Sequence, residues 1–180
     1  MNNFRFLNLD IPLFKEGITF QDVPKAPIAI LDKEKYLNEK MFKFFDSLDL
    51  EIFFVETFFK RANNKNKIHI DGTGNDYTKL NWVFGGGQSK MNWYAPLDNT
   101  LRPLFKNAID TSYVAYTPEQ VTEIESSIIQ NPTLVQVGVP HNVVNITEDR
   151  LCISILYRNK INKNRISMSE SVQTFKKYII

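Results

Sequence analysis

The sequence predicts a mainly β domain, a sandwich or barrel with flanking helices. Short runs rich in Phe, Ile and Val recur along the chain, and Gly-rich or Asn-rich turns separate most of them. The aromatic share is 13%, with 14 Phe among 180 residues, and such side chains favour pleated, half-buried surfaces. This length fits one domain, residues 1–180, able to bury a core without disulfides or metal staples. A metal, if bound, is therefore free to serve chemistry.

Taken in order, residues 1–32 read as short extended pieces broken by Pro12, Pro24 and Pro27, with a strand over 28–31. Asp32 suits an N-cap, and Tyr36, Leu37, Met41, Phe44 and Phe45 at helical spacing predict a helix over 33–47. Strands are expected at 50–59, 67–71, 79–84, 90–95, 112–116, 133–139 and 150–157, with a polar turn over 61–67. Residues 121–129 fit either period, and their neighbours favour strand. Val172, Phe175 and Ile179 predict a closing helix over 169–180. Residues 72–74 and 85–87 mark turns. The second is expected to make a hairpin and not a phosphate loop, because it lacks a Gly-Lys-Ser/Thr ending.

Net charge is +2, too weak to argue for nucleic acid. Cys152 is the single cysteine, which excludes an internal disulfide and points to a reducing compartment. The N-terminal residues lack a basic-then-apolar signal pattern, and no apolar run reaches bilayer length. A cytoplasmic protein without a membrane partner is expected.

The chain has two histidines, in Ile68-His69-Ile70-Asp71 and Val139-Pro140-His141-Asn142. Side chains alternate along a strand, so His69 and Asp71 point one way and Ile68 and Ile70 the other, into apolar packing. Val135, Val137, Val139 and His141 share parity if one strand runs on through Pro140. Two histidines and a carboxylate leave metal positions open, the pattern of non-haem Fe(II) oxygenases. His-x-Asp alone is common, so the second histidine and the arginine beyond it matter most. Nine residues after His141, Arg150 shares a strand face with Cys152 and Ser154, while Leu151, Ile153 and Ile155 take the other. An arginine facing a barrel interior is costly unless an anion meets it, although pairing with Glu148 or Asp149 in solvent is an alternative.

This order of His-x-Asp, His and Arg resembles the 2-oxoglutarate/Fe(II) dioxygenases, in particular the small aspartyl/asparaginyl hydroxylase-like and phage-encoded members. The resemblance spans residues 65–157 and rests on His69-Ile-Asp71, Leu80-Asn81-Trp82, Asn92-Trp93-Tyr94, Val137-Gly-Val-Pro-His141 and Arg150-Leu-Cys-Ile-Ser154. It implies a double-stranded β-helix, a jelly-roll or cupin-like barrel. It also implies Fe(II) on His69, Asp71 and His141, and 2-oxoglutarate with its far carboxylate on Arg150. By the same resemblance Asn81 contacts the co-substrate, Ser154 adds a hydroxyl and Tyr94 lines the pocket. Strand-edge and core roles are the simpler alternatives for Asn81 and Tyr94. Cys152 stands where many relatives carry Ser or Thr, and a thiol is the poorer hydrogen-bond partner.

The implied reaction takes O2, yields succinate and CO2, and hydroxylates a small-molecule or peptidyl substrate, such as an amino-acid side chain. A phage-encoded member would act in the host cytoplasm. Residues 72–79 and 96–110 are expected to frame the pocket mouth. There Arg102 and Lys106 could meet an acidic substrate, against the simpler reading of solvated charge. Two rival expectations are a cupin-like metal enzyme that needs no Arg150 and a non-catalytic jelly-roll binding or virion module.

Overall fold

The computed structural model describes residues 2–64, 66–72 and 77–180. Among them twelve strands, numbered in chain order, form two sheets. They are β1 (Phe4–Phe6), β2 (Ala29–Ile30), β3 (Leu50–Lys60), β4 (Ile68–Asp71), β5 (Thr78–Gly85), β6 (Lys90–Pro96), β7 (Leu104–Lys106), β8 (Ser112–Tyr116), β9 (Val121–Ser127), β10 (Thr133–Gln136), β11 (His141–Val144) and β12 (Arg150–Asn159). The helices are α1 (Lys33–Tyr36), α2 (Glu39–Asp46) and α3 (Met168–Thr174). The mainly β expectation holds.

One sheet has the order β1-β10-β5-β12-β3-β2 and the other β7-β8-β4-β11-β6-β9, and every pairing is antiparallel. From β3 to β6 the chain alternates sheets at each strand, and it does so again from β9 to β12. Two expectations are corrected by this path. The turn at 85–87 does not make a hairpin, since β5 and β6 lie in different sheets. Its glycines have φ of 68°, 85° and 57°, and the Gly86 N–H donates to the Asp149 carbonyl at 3.0 Å, fastening the turn to the start of β12. The strand expected over 133–139 stops at Gln136, where the chain leaves the first sheet. His141 then opens β11 in the second sheet. Gly138 and Pro140 interrupt the run, as both residues do in strand interiors.

The helix expected over 33–47 is two helices. Leu37 is extended, and Asn38 starts α2 afresh by accepting a hydrogen bond from the Lys40 N–H at 2.9 Å. Residues 121–127 are strand. The closing helix is shorter than expected: Ser167 and Glu170 form a capping box, α3 ends at Thr174, and a 3₁₀ turn follows over Lys176–Tyr178. Phe4–Phe6 and Leu104–Lys106 are additional strands of three residues each, beyond those the sequence predicts.

The main core lies between the first sheet and the helices. Leu151, Ile153 and Ile155 of β12 and Leu80 and Trp82 of β5 pack there with Leu37, Met41, Phe45 and Phe175. Each buried aliphatic side chain in this layer contributes about 1.5–3 kcal/mol. A smaller cluster of Met91, Trp93, Ile129, Val135 and Val137 forms the second core. Trp93 is wholly buried, stacks on Phe4 and donates its indole N–H to the Gln136 carbonyl at 2.8 Å. With one face of the first sheet spent on the helices, its other face is left to line a cavity. No helix among the described residues is long and apolar enough to cross a membrane.

Candidate metal centre and its cavity

Strands β4 and β11 meet at one register pair, His69 opposite His141. Residues directly opposite share a face, so both imidazoles emerge together, with ring centroids 4.6 Å apart. Two residues along β4, Asp71 comes to the same face, and its Oδ1 lies 3.2 Å from His69 Nε2. Two ligands set at right angles about 2.1 Å from one ion sit about 3 Å apart, so this pair already has a chelating separation. One ligand atom from each of His69, Asp71 and His141 lies within 4.8 Å of the other two. Ile68 and Ile70, facing away, are buried as expected.

Backbone carbonyls set the tautomer of both histidines. His69 Nδ1 lies 2.9 Å from the Lys67 carbonyl, and His141 Nδ1 lies 2.9 Å from the Val139 carbonyl. A carbonyl only accepts, so each Nδ1 carries the hydrogen and each Nε2 is turned toward the shared site. Burial and the nearby His69 push the His141 pKa down to about 4, which keeps this imidazole neutral. Burial also presses on His69, but the Asp71 carboxylate more than offsets it and raises the His69 pKa. A divalent ion between Nε2 and Oδ1 would take the place of that direct contact.

The second oxygen of Asp71 is taken by a residue that the sequence does not single out. Lys79, buried at the start of β5, reaches Asp71 Oδ2 at 2.6 Å and Glu56 Oε2 at 2.6 Å. Burial alone would raise the Asp71 pKa, yet Lys79 and the two histidines hold it well below the ordinary carboxylate value. Lys79 therefore fixes which oxygen Asp71 turns toward the histidines. The available signal is Glu56, a carboxylate in the apolar strand Ile-Phe-Phe-Val-Glu-Thr-Phe-Phe, which requires a buried cation.

These groups open onto a cavity of about 620 Å³, within the range of small-molecule sites. Arg150, Cys152, Ser154 and Asn81 line its wall on the first sheet. The Ser154 hydroxyl donates to Asn81 Oδ1 at 2.7 Å, and Cys152 Sγ lies 3.6 Å from that hydroxyl. This bond uses the Asn81 oxygen and leaves its amide N–H groups as donors to the cavity.

Arg150 is buried, and its Nε has no hydrogen-bond partner. No acid among the described residues pairs with it; Asp149 instead accepts from the Ala62 N–H. Arg150 pairs in register with Lys60 of β3, so no acid sits beside it on that strand. Gly86 makes room for its stem, since a Cβ there would lie 2.9 Å from Arg150 Cγ and 3.0 Å from Cδ.

Tyr94, expected in the pocket, is placed elsewhere, and Arg102 and Lys106 follow the simpler reading of surface charge. Tyr94 lies outside the cavity lining: its hydroxyl donates to Asn142 at 3.1 Å and meets Asn92 at 3.4 Å, on the face of β6 opposite Trp93. Arg102 pairs with Asp98 at 3.0 Å and covers the Tyr116 ring, and Lys106 pairs with Asp110 at 2.6 Å, so neither faces the cavity. Of the expected mouth segments, 72–79 and 96–110, Gly72, Lys79 and Asn107 reach the lining; Thr111, Ser112 and Tyr113, just beyond the second, line it too. Residues 73–76, including the turn residue Gly74, and Lys65 of the polar turn lie outside the described residues.

Comparison with protein-family models, with curated proteins and with solved structures gave no match to this chain.

Proposed function

We propose that this protein is an Fe(II)- and 2-oxoglutarate-dependent dioxygenase that hydroxylates an organic substrate, built on a double-stranded β-helix. The observation that carries the reading is an unpaired, buried Arg150 in the same cavity as His69, Asp71 and His141. A metal site alone fits many enzymes. A metal site facing an orphan guanidinium fits a ligand that chelates at one end and carries an anion at the other. The strand path supports the fold: four strands of the order β10-β5-β12-β3 face four of the order β4-β11-β6-β9, with the chain crossing repeatedly between them.

The residues fit the groups they would hold. His69, Asp71 and His141 would hold Fe(II), with the two imidazoles oriented from Lys67 and Val139 and the carboxylate from Lys79. Arg150 would receive the far carboxylate of 2-oxoglutarate, which would give its orphan Nε a partner. When bound, the iron and co-substrate supply O2 activation coupled to decarboxylation, giving succinate and CO2. The protein positions the co-substrate through Arg150 and Asn81 and keeps both imidazoles in the metal-binding tautomer.

The test is succinate release from 2-oxoglutarate with matched O2 uptake, in Fe(II)-loaded protein, with or without added substrate. Wild type should release succinate only with Fe(II). Arg150→Ala should lower co-substrate affinity about 30–1,000-fold, corresponding to the loss of about 2–4 kcal/mol from a buried charged pair. Metal-dependent turnover without 2-oxoglutarate, indifferent to Arg150→Ala, would instead mark a cupin-like enzyme. Gly86→Ala tests the same contact from the other side. Its Cβ would lie 2.7 Å from Ser89 Oγ and 2.9 Å from Arg150 Cγ, at a φ of 85° that strains any L side chain, so the turn and the Arg150 stem must shift; 2-oxoglutarate binding should weaken about tenfold, while Mn(II) binding at the distant ligands stays within about twofold. Titration calorimetry on the Mn(II)-loaded variant reads both.

A further inference from the structure

The cavity holds a second guanidinium that forms no ion pair with an acid among the described residues. Arg165, on the segment between β12 and α3, lines the cavity with its Nε buried and unpartnered. Its guanidinium lies 3.8 Å over the Tyr77 ring, and Nη2 reaches the Thr78 carbonyl at 3.5 Å. These contacts fix its position without neutralising its charge. Among the described residues, Asp71 and Glu56 attract the Arg165 charge, but both are bonded to Lys79 and neither makes an ion pair with Arg165.

The two guanidinium groups attach to opposite ends of β5. Arg165 sits against Thr78 at the beginning of that strand, and Arg150 lies opposite Gly85 at its end. Seven residue steps separate these points, about 23 Å of strand. Lys79, next to Thr78, is bonded to Asp71, so Arg165 is on the metal side of the cavity and Arg150 on the remote side. A five-carbon diacid that chelates at the metal and ends on Arg150 would leave Arg165 without a directly bonded anion. A guanidinium with a buried, unpartnered Nε is a ready site for a bidentate anion.

We propose that Arg165 binds a carboxylate of the primary substrate and so holds the carbon to be oxidised beside His69, Asp71 and His141. The substrate class is then a carboxylic acid, either free or as an acidic side chain. The planar fork of Arg165, stacked on Tyr77, suits a planar carboxylate. This assignment of substrate rests on the oxygenase reading, whereas the anion site itself stands on the geometry of Arg165.

The experiment is calorimetric titration of Mn(II)-loaded protein, with and without 2-oxoglutarate, using acetate, benzoate and N-acetyl-aspartate, their amides, and inorganic phosphate. The carboxylates should bind with 2-oxoglutarate present, about tenfold tighter than their amides. Arg165→Gln should abolish that preference and leave 2-oxoglutarate affinity within about twofold. Arg150→Gln should do the reverse, keeping the carboxylate preference while losing 2-oxoglutarate. Equal binding of acids and amides, binding of phosphate alone, or a carboxylate preference that survives Arg165→Gln would each overturn the proposal. If 2-oxoglutarate fails to bind wild type while the Arg165-dependent preference persists, the oxygenase reading falls and the anion site stands.

Discussion

Replacing Lys79 by Met should destabilise the metal-free protein by about 3–5 kcal/mol, the cost of breaking a buried ion pair by removing one partner. Lys79 and Glu56 are almost wholly shielded, with side chains 5% and 4% exposed, and Lys79 makes 2.6 Å contacts to both Glu56 and Asp71. Its removal leaves two carboxylates facing one another across a low-dielectric site, where they cannot both stay ionised without large cost. Met fills much of the same volume, so packing loss is small and the effect is electrostatic. Urea denaturation monitored by tryptophan fluorescence measures it. The double variant Lys79→Met, Glu56→Gln should recover part of the loss, since one stranded charge is then gone. In Lys79→Met alone, Asp71 also loses the contact that orients it, and Mn(II) affinity should fall about 10–100-fold. A single variant as stable as wild type would show that Lys79 carries no stabilising role, and unchanged Mn(II) affinity that it does not orient Asp71.

The sequence is most legible where strand parity governs. Arg150, Cys152 and Ser154 do line the cavity while Leu151, Ile153 and Ile155 pack on the helices, and His69 and Asp71 do emerge together. Parity applies only within one strand, and His141 lies beyond that limit. It shares a face with His69 because the two are cross-strand partners in the second sheet, and not because it extends the valines of β10. Gly138 and Pro140 are the signals of that break. Strands of three residues, Phe4–Phe6 and Leu104–Lys106, are too short for any period to show. Lys79 and Arg165 escape notice because a lone cation reads as solvated until the fold shows what surrounds it. Tyr94 is misplaced for a related reason. It shares parity with Asn92, and only the register shift against β9 and the hydrogen bonds to Asn142 fix which face that is.

His141→Ala should remove high-affinity metal binding, with Mn(II) or Fe(II) affinity falling at least about 100-fold, beyond the 10–100-fold typical of losing an outer-shell partner. His141 offers one of the three candidate ligand atoms and is itself buried, so no solvent-exposed group stands ready to replace it. The loss should be selective. The fold around His141 is held by the β11–β6 register from His141 to Val144 and by the wholly buried Trp93 opposite it, and neither depends on the imidazole. The imidazole is kept neutral and offers the protein one hydrogen bond, Nδ1 to the Val139 carbonyl, worth about 0.5–1.5 kcal/mol. Metal-free stability should therefore fall by about 1–3 kcal/mol once the small cavity left by truncation is added, and the protein should remain folded. Calorimetric titration with Mn(II), beside a urea melt of the same sample, separates the two effects. Unchanged metal affinity in a folded His141→Ala protein would remove the metal centre from the fold's function, and the oxygenase reading would go with it.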